Sequence, residues 1–101
     1  MKVTFTEYAR KDIGEIKKYI KAEADAKIAS DITGKIVLDT KRLELFPNSG
    51  LHLEDRIDRP TKFRYITTYN YATIYYVEDN MVIVAKVVHM ARDFNQLQLD
   101  K

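Results

Sequence analysis

His89 and Arg64 are the two side chains of this sequence that are best suited to chemistry on a charged substrate. His89 ends a nearly continuous apolar run, and Arg92 and Asp93 follow it closely. An imidazole exchanges protons near neutral pH, so His89 could serve as a general acid or base. The guanidinium group of Arg64 could hold a phosphate or stabilise a developing negative charge. These two residues therefore form the candidate site.

Structural roles for the same residues are open alternatives. His89 could hydrogen-bond a backbone group and fix the end of a strand, and Arg64 could pair with an acid of the Leu51–Asp58 segment. The sequence also has seven tyrosines, and aromatic rings can stack on nucleic-acid bases. Tyrosines more often contribute to strand formation and to the core. The residue types alone do not separate these roles.

The composition argues against several other kinds of site. The sequence has no cysteine, which rules out disulfides, a cysteine nucleophile and thiolate metal ligands. His52 and His89 have no metal-ligand spacing around them, and the three glycines are too scattered for a phosphate-binding loop. We therefore expect no metal ion and no small-molecule cofactor.

The charge balance is only mildly basic. The net charge is +2 and the pI is about 8.8, and from Pro47 onward seven basic residues face seven acidic ones. Proteins that depend on phosphate contacts usually have a stronger basic bias. The first five residues do not fit a signal peptide, and the apolar run Met81–Ala85 is too short to span a bilayer. We expect a cytoplasmic protein with no membrane partner.

The first half of the sequence predicts a short strand and two helices. Residues 2–5 form the strand, and Thr6 can cap a helix by accepting a backbone N–H. The apolar stripe of this helix consists of Ala9, Ile13, Ile16 and Ile20. Asp25 can cap a second helix from Ala26 to Phe46, and Pro47 ends it because proline cannot continue the hydrogen-bond ladder. The stripe of the second helix consists of Ala29, Ile32, Ile36, Leu43 and Phe46.

The second half predicts three strands after an irregular connection at residues 51–62, for which a short strand around His52–Ile57 is an open alternative. The strands are Phe63–Tyr69, Tyr71–Val77 and Met81–His89, and Asp79-Asn80 is a good two-residue hairpin turn. We therefore expect residues 1–101 to form a single α+β domain with the order β-α-α-β-β-β. We expect a mostly antiparallel, twisted sheet of about four strands with a helical hairpin packed on one face and the other face open.

Three segments of the chain resemble the RelE/ParE toxin superfamily. The stretch Phe63–Val77 is similar to its paired strands, in which an arginine begins a strand and a tyrosine-rich partner follows. The run Val82–Asp93 resembles the closing strand, which commonly ends in valine-x-histidine and then an arginine–aspartate pair. Leu45–Gly50 resembles the phenylalanine–proline and glycine that end the helical hairpin. The resemblance extends over nearly the whole chain.

This resemblance implies the toxin of a bacterial type II toxin–antitoxin pair. A cognate antitoxin would hold the toxin inactive by folding an extended or helical segment over its sheet and helices. RelE-like members cleave messenger RNA in the ribosomal A site, whereas ParE-like members inhibit DNA gyrase. The partners implied are therefore an antitoxin and either gyrase or the ribosome. A plain interaction module without toxicity is the third possibility.

The two toxin modes give different roles to the candidate residues. In the ribonuclease mode, Arg64 would stabilise the scissile phosphate, His89 would act as acid or base, and Arg92 would join the catalytic set. Ribonucleases of the superfamily are usually strongly basic and often carry a tyrosine shortly after the last strand. This chain has an even charge balance and Phe94 near that point. Both departures favour the ParE-like mode, with the ribosome-dependent endoribonuclease as the alternative, so whether the chain is an enzyme stays open.

Overall fold

Two capped helices follow the first strand, as the sequence predicts. The structure is a computed structural model that describes residues 1–99; the last two residues of the predicted domain, 100 and 101, lie outside the described part. Strand β1 is Lys2–Phe5, helix α1 is Glu7–Glu23 and helix α2 is Ala26–Asp39. The Thr6 hydroxyl accepts the N–H of Ala9 at 3.1 Å. The Asp25 carboxylate accepts the N–H of Ile28 at 2.8 Å, so each helix starts at the predicted cap.

The second helix is shorter than the sequence predicts. It ends at Asp39, and the chain continues as a 3₁₀ turn over Thr40–Glu44. The Thr40 hydroxyl donates to the carbonyl of Val37 at 2.7 Å, a local bond that competes with the regular ladder. The tighter 3₁₀ winding changes the direction of the side chains that follow. Leu43 is still buried, but Phe46 is 64% exposed, so its predicted place in the apolar stripe is wrong.

Five strands form one mixed sheet in the order β1-β5-β4-β3-β2. The later strands are β2 (Leu51–His52), β3 (Arg64–Thr68), β4 (Tyr71–Glu78) and β5 (Met81–His89). Neighbouring strands pair antiparallel except β1, which pairs parallel with β5. The expected architecture is confirmed, with β2 as an additional fifth strand. The Asp79-Asn80 turn is also confirmed, since both residues have positive φ, 52° and 63°.

Both faces of the sheet are covered, which differs from the open face expected from the sequence. One cluster packs beneath the helices, and its fully buried members are Ala9, Ile36, Leu43, Tyr75, Val82 and Val84. A second cluster covers the other face and includes Leu53, Phe63, Tyr65, Ile74, Tyr76, Phe94 and Leu97. The connection after β2 and the segment after β5 supply this second layer, which removes the apolar surface of this sheet face from water.

A β-bulge interrupts the alternation of β5. Ile74 pairs with Lys86 and Tyr75 pairs with Val84, so Ala85 is an extra residue in the ladder. The sequence predicts that Val87 and Ala85 share a face. Instead, Val87 packs in the helix-side cluster and Ala85 packs against the opposite one. The bulge reverses the sidedness of the strand, which sequence alternation cannot anticipate.

The end of α2 is joined to β3 by a polar contact. The Thr68 hydroxyl donates to the Asp39 carboxylate at 2.6 Å, and Lys35 bonds the other carboxylate oxygen. Burial of Asp39 raises its pKa, but the hydrogen bonds from Lys35 and Thr68 and the charges of Lys35 and Arg42 outweigh that effect. The net pKa of Asp39 therefore lies below its ordinary value of 3.8, and the carboxylate is charged at neutral pH.

Two threonines of the sheet should respond oppositely to replacement by valine. The buried Thr73 hydroxyl has no hydrogen-bond partner within residues 1–99, whereas the Thr68 hydroxyl donates to Asp39. We expect Thr73→Val to raise the free energy of unfolding by about 1 kcal/mol. Thr68→Val should lower it by about 1–3 kcal/mol, because a bond to a charged group is lost. Urea unfolding of both variants measures the two changes, and a destabilised Thr73→Val variant would contradict the first.

Candidate functional site

A cleft of about 440 Å³ lies between α1 and the carboxyl end of β5. His89 and Arg92 line it from the sheet side, together with Tyr71 at the start of β4. The helix contributes Asp12, Glu15, Ile16 and Tyr19. The cleft therefore combines an imidazole and a guanidinium with two carboxylates and two phenols, and it is the candidate functional site.

The His89 ring is held by two contacts at the edge of this cleft. It packs edge-to-face against Tyr71, with the ring centroids 5.4 Å apart. Its Nδ1 accepts the backbone N–H of Ala91 at 3.0 Å, and its carbonyl accepts the N–H of Arg92 at 3.0 Å. A neutral imidazole with Nδ1 as acceptor carries its proton on Nε2. His89 thus fixes the turn after β5, as the structural alternative proposed, and its Nε2 stays available to a ligand.

Two tyrosines form the phenolic part of the cleft. Tyr71 is half-buried, and Tyr19 of α1 is 64% exposed. The pKa of Tyr71 lies above its ordinary value of 10.0, mainly because the phenol is partly buried and to a smaller extent because of electrostatic repulsion from Tyr19. The Tyr71 phenol is therefore protonated at neutral pH and can exchange hydrogen bonds but cannot serve as a base.

Asp12 has a structural role in the wall of the cleft. Strand β1 pairs with β5 only as far as Phe5 and Val84, where the chain turns into α1. The next outward-facing N–H of β5, that of Val87, is accepted by the Asp12 carboxylate at 3.0 Å. A helix side chain thus replaces the missing strand along this part of the sheet edge, which satisfies a backbone donor that would otherwise be unpaired.

Arg64 lies outside the cleft and is bound to a loop. Its guanidinium Nη1 donates to the carbonyls of Asn48 and Gly50 at 3.2 and 3.0 Å. Tyr75 holds the same loop: its hydroxyl donates to the carbonyl of Pro47 at 2.7 Å and accepts the N–H of Gly50 at 3.0 Å. Arg64 and Tyr75 are paired in register on β3 and β4. Together they fix residues 47–50 against the sheet.

The same contacts explain Gly50 and the state of Tyr75. A Cβ at Gly50 would lie 2.5 Å from the Tyr75 hydroxyl and 2.9 Å from the Tyr65 carbonyl, so a larger residue cannot keep this approach. Burial raises the pKa of Tyr75 above 10.0, although the Gly50 N–H and the charges of Arg64 and Arg42 act in the opposite direction. The phenol is protonated at neutral pH and serves as donor and acceptor at once.

The structure brings His89 and Arg92 together and keeps Arg64 apart. His89 is paired with Tyr71, whereas Arg64 is paired with Tyr75, four positions further along β4. Four residues of extended strand span about 13 Å, and β3 and β5 are two strand spacings, about 10 Å, from each other. The candidate residues singled out in the sequence therefore belong to two locations, a cleft and a loop clamp.

Sequence reasoning missed the helix residues that complete the cleft. Asp12, Glu15 and Tyr19 lie off the apolar stripe of α1, where polar residues are ordinarily solvated. Their spacing of three and four residues places them on one side of the helix. That spacing was the available signal, but only the packing of α1 beside β5 shows which strand end they face.

Neither a cluster of metal ligands nor a membrane-spanning helix is found within residues 1–99. No three histidine, aspartate or glutamate side chains lie together as possible metal ligands within residues 1–99. Neither described helix combines the length and apolar character that crossing a membrane requires.

A family comparison identifies the class of protein. The sequence profile described as "ParE toxin of type II toxin-antitoxin system, parDE" matches residues 3–94. The chain therefore belongs to the ParE toxin family of type II toxin–antitoxin systems, and the resemblance found in the sequence is confirmed.

A solved structure has a similar fold. A chain described as "Chromosomal ParDE TA system from P. aeruginosa" matches with a TM-score of 0.73 and 18% sequence identity. The match covers 88% of this chain and 95% of that one. No curated protein sequence matches the chain.

Two arginine substitutions test whether Arg64 is a clamp. Arg64→Ala removes two bonds from a charged donor to backbone carbonyls, and we expect it to lower the free energy of unfolding by about 1–3 kcal/mol. Arg92→Ala at an exposed position is the matched control and should change it by less than about 0.5 kcal/mol. Urea unfolding followed by circular dichroism measures both values. Equal stability of the two variants would contradict the clamp.

Proposed function

We propose that this chain is the toxin of a type II toxin–antitoxin pair, that a cognate antitoxin neutralises it, and that it acts by binding and inhibiting DNA gyrase without cleaving RNA. Membership of the ParE family supports the toxin role and a cognate antitoxin. The description of the similar solved chain as part of a ParDE system is consistent with such a partner.

The observation that carries the choice between the two toxin modes is the separation of Arg64 from His89. RNA cleavage next to a 2′-hydroxyl needs a phosphate-stabilising cation and a proton-transfer group at the same scissile bond. Here the Arg64 guanidinium is bound to the carbonyls of Asn48 and Gly50. His89 is four register positions away along β4. This geometry favours a protein that acts by binding.

The composition of the cleft favours the same mode. His89 and Arg92 could attract a phosphate, but Asp12 and Glu15 line the same cleft and would repel it. The protonated Tyr71 can donate a hydrogen bond but cannot take a proton from a 2′-hydroxyl. These features fit contact with a protein surface better than catalysis on a polyanion.

Exposed apolar side chains beside the clamped loop fit binding as well. Leu45, Phe46 and Leu51 are 79%, 64% and 60% exposed, and they flank the loop that Arg64 and Tyr75 hold. Large apolar side chains that are exposed next to a fixed backbone are common in protein–protein interfaces. We infer that this region contributes to contact with the antitoxin or with gyrase.

A supercoiling assay tests the gyrase proposal. The purified chain, added in excess to gyrase and relaxed plasmid, should abolish supercoiling and cause cleaved DNA to accumulate. Addition of the product of a small reading frame beside the gene, if that product is the antitoxin, should restore supercoiling. Normal supercoiling at a large excess of toxin would refute gyrase as the target, and unaffected growth on full induction would indicate the non-toxic module.

A histidine variant tests the ribonuclease alternative. Under the binding proposal, His89→Ala loses no chemical step, and we expect its toxicity in cells to stay within about tenfold of the parent, since one exposed contact contributes about 1 kcal/mol or less. His52→Ala is the matched control, because His52 is also exposed but lies on β2. Codon-positioned cuts in translated messages that disappear only in His89→Ala would support the ribosome-dependent endoribonuclease instead.

A further inference from the structure

A second cavity, of about 530 Å³, lies where the chain leaves β1 and enters α1. It is separate from the His89 cleft and adjoins the cluster that covers the sheet face opposite the helices. Its walls are mainly aromatic and aliphatic: Tyr8, Phe63, Tyr76, Ala85 and Leu99. Cavities of this volume with mostly apolar walls and a few polar groups are typical of small-molecule sites.

Among residues 1–99, Lys86 is the one charged residue that lines this cavity. Its side chain is only 16% exposed, and the nearest carboxylate, Asp12, is 3.9 Å from Nζ. That distance is too long for a hydrogen bond, and the Asp12 oxygen already accepts the N–H of Val87. Within residues 1–99, the Lys86 ammonium makes no hydrogen bond. The ion pair with Asp12 leaves the three N–H donors of Lys86 without acceptors among the described residues, so they are open to an anionic ligand.

The β-bulge of β5 is what directs Lys86 into the cavity. In a regular strand, consecutive side chains point to opposite faces, so Ala85 and Lys86 could not line the same space. The extra residue at Ala85 breaks this alternation, and both side chains line the cavity. Bulges commonly redirect a side chain at functional positions. The bulge is therefore an observation, independent of the cavity's volume, that points to a site.

Of the two lysines near the cavity, Lys86 has the weaker ion pair, with Asp12 at 3.9 Å. Lys62 lies 4.5 Å from the centre of the Tyr76 ring, but it forms an ion pair with Glu78 at 2.9 Å. Thr6 and Tyr8 bring the amino end of α1 to the cavity, and a helix start carries partial positive charge. Because Asp12 already offsets part of the Lys86 charge, the cavity suits a ligand with one negative charge and not a ligand with two.

We propose that this cavity binds a small monocarboxylate with an apolar body, of the medium-chain alkanoate or aryl-alkanoate class. The carboxylate accepts hydrogen bonds from the Lys86 ammonium, and the apolar body packs against Phe63, Tyr76 and Leu99. The proposal does not depend on gyrase inhibition, because none of the cavity's lining residues belongs to the His89 cleft or the clamped loop.

An NMR titration with octanoate and 1-octanol tests the proposal. The two probes have the same chain length and differ in the charge of the head group. Octanoate should bind at least about tenfold more tightly than 1-octanol, which is the size of effect expected of one charge-assisted hydrogen bond. Amide shifts should be largest at Tyr8, Ala85 and Lys86. Lengthening the probe from hexanoate to octanoate should tighten binding by up to about fourfold per methylene.

Two lysine variants locate the charge that matters. Lys86→Met keeps the apolar stem and removes the ammonium, and we expect it to weaken octanoate about tenfold while leaving 1-octanol unchanged. Lys27→Met on the exposed surface of α2 removes the same charge and should leave both affinities unchanged. Equal affinity of the parent chain for octanoate and 1-octanol, shifts that map outside the cavity, or no saturable shift would each overturn the proposal. The comparison of octanoate with 1-octanol on the parent chain still tests the proposal if the Lys86→Met variant does not fold.

Discussion

The paired edge of β5 is the constraint on which the rest of the structure depends. On the side of β5 away from β4, the first half of the strand pairs with β1 and the second half has no strand beside it, because the chain turns into α1 after Phe5. The backbone there is hydrogen-bonded by two side chains, that of Thr6, the N-cap of α1, at the Ala85 carbonyl and that of Asp12 in α1 at the Val87 N–H. These bonds hold α1 at one distance from the strand. The His89 cleft and the Lys86 cavity are both spaces beside this junction.

Coverage of both sheet faces decides where a partner can bind. Phe94 and Leu97 pack on the face that the helices leave uncovered, and Arg56 lies 4.9 Å from the centre of the Phe94 ring. Arg59 and Asp58 add bonds from the preceding connection to the same final segment. Because this apolar surface is already buried, the surfaces that remain available to other molecules are the sheet edges, the clefts and the exposed side chains beside the clamped loop.

Arg64 illustrates how one residue type can serve either chemistry or structure. Phosphate binding needs a guanidinium whose donors face the ligand, but here Nη1 faces two backbone carbonyls. Together with Tyr75, Arg64 holds the loop of residues 47–50, in which Gly50 permits the backbone to lie close to the Tyr75 ring. His89 is similarly bound to its own turn, through Nδ1.

The sequence by itself determined the elements whose signals are local. Caps at Thr6 and Asp25 and the turn at Asp79-Asn80 depend on residues within one turn of chain, so their chemistry could be recognised without the fold. The family could be recognised for the same reason, from short runs of strand residues. Tertiary structure alone decided the parallel pairing of β1, the bulge at Ala85 and the covered second face. It also decided the separation of Arg64 from His89, since register and packing join residues far apart in the chain, and no local pattern records which strands will meet.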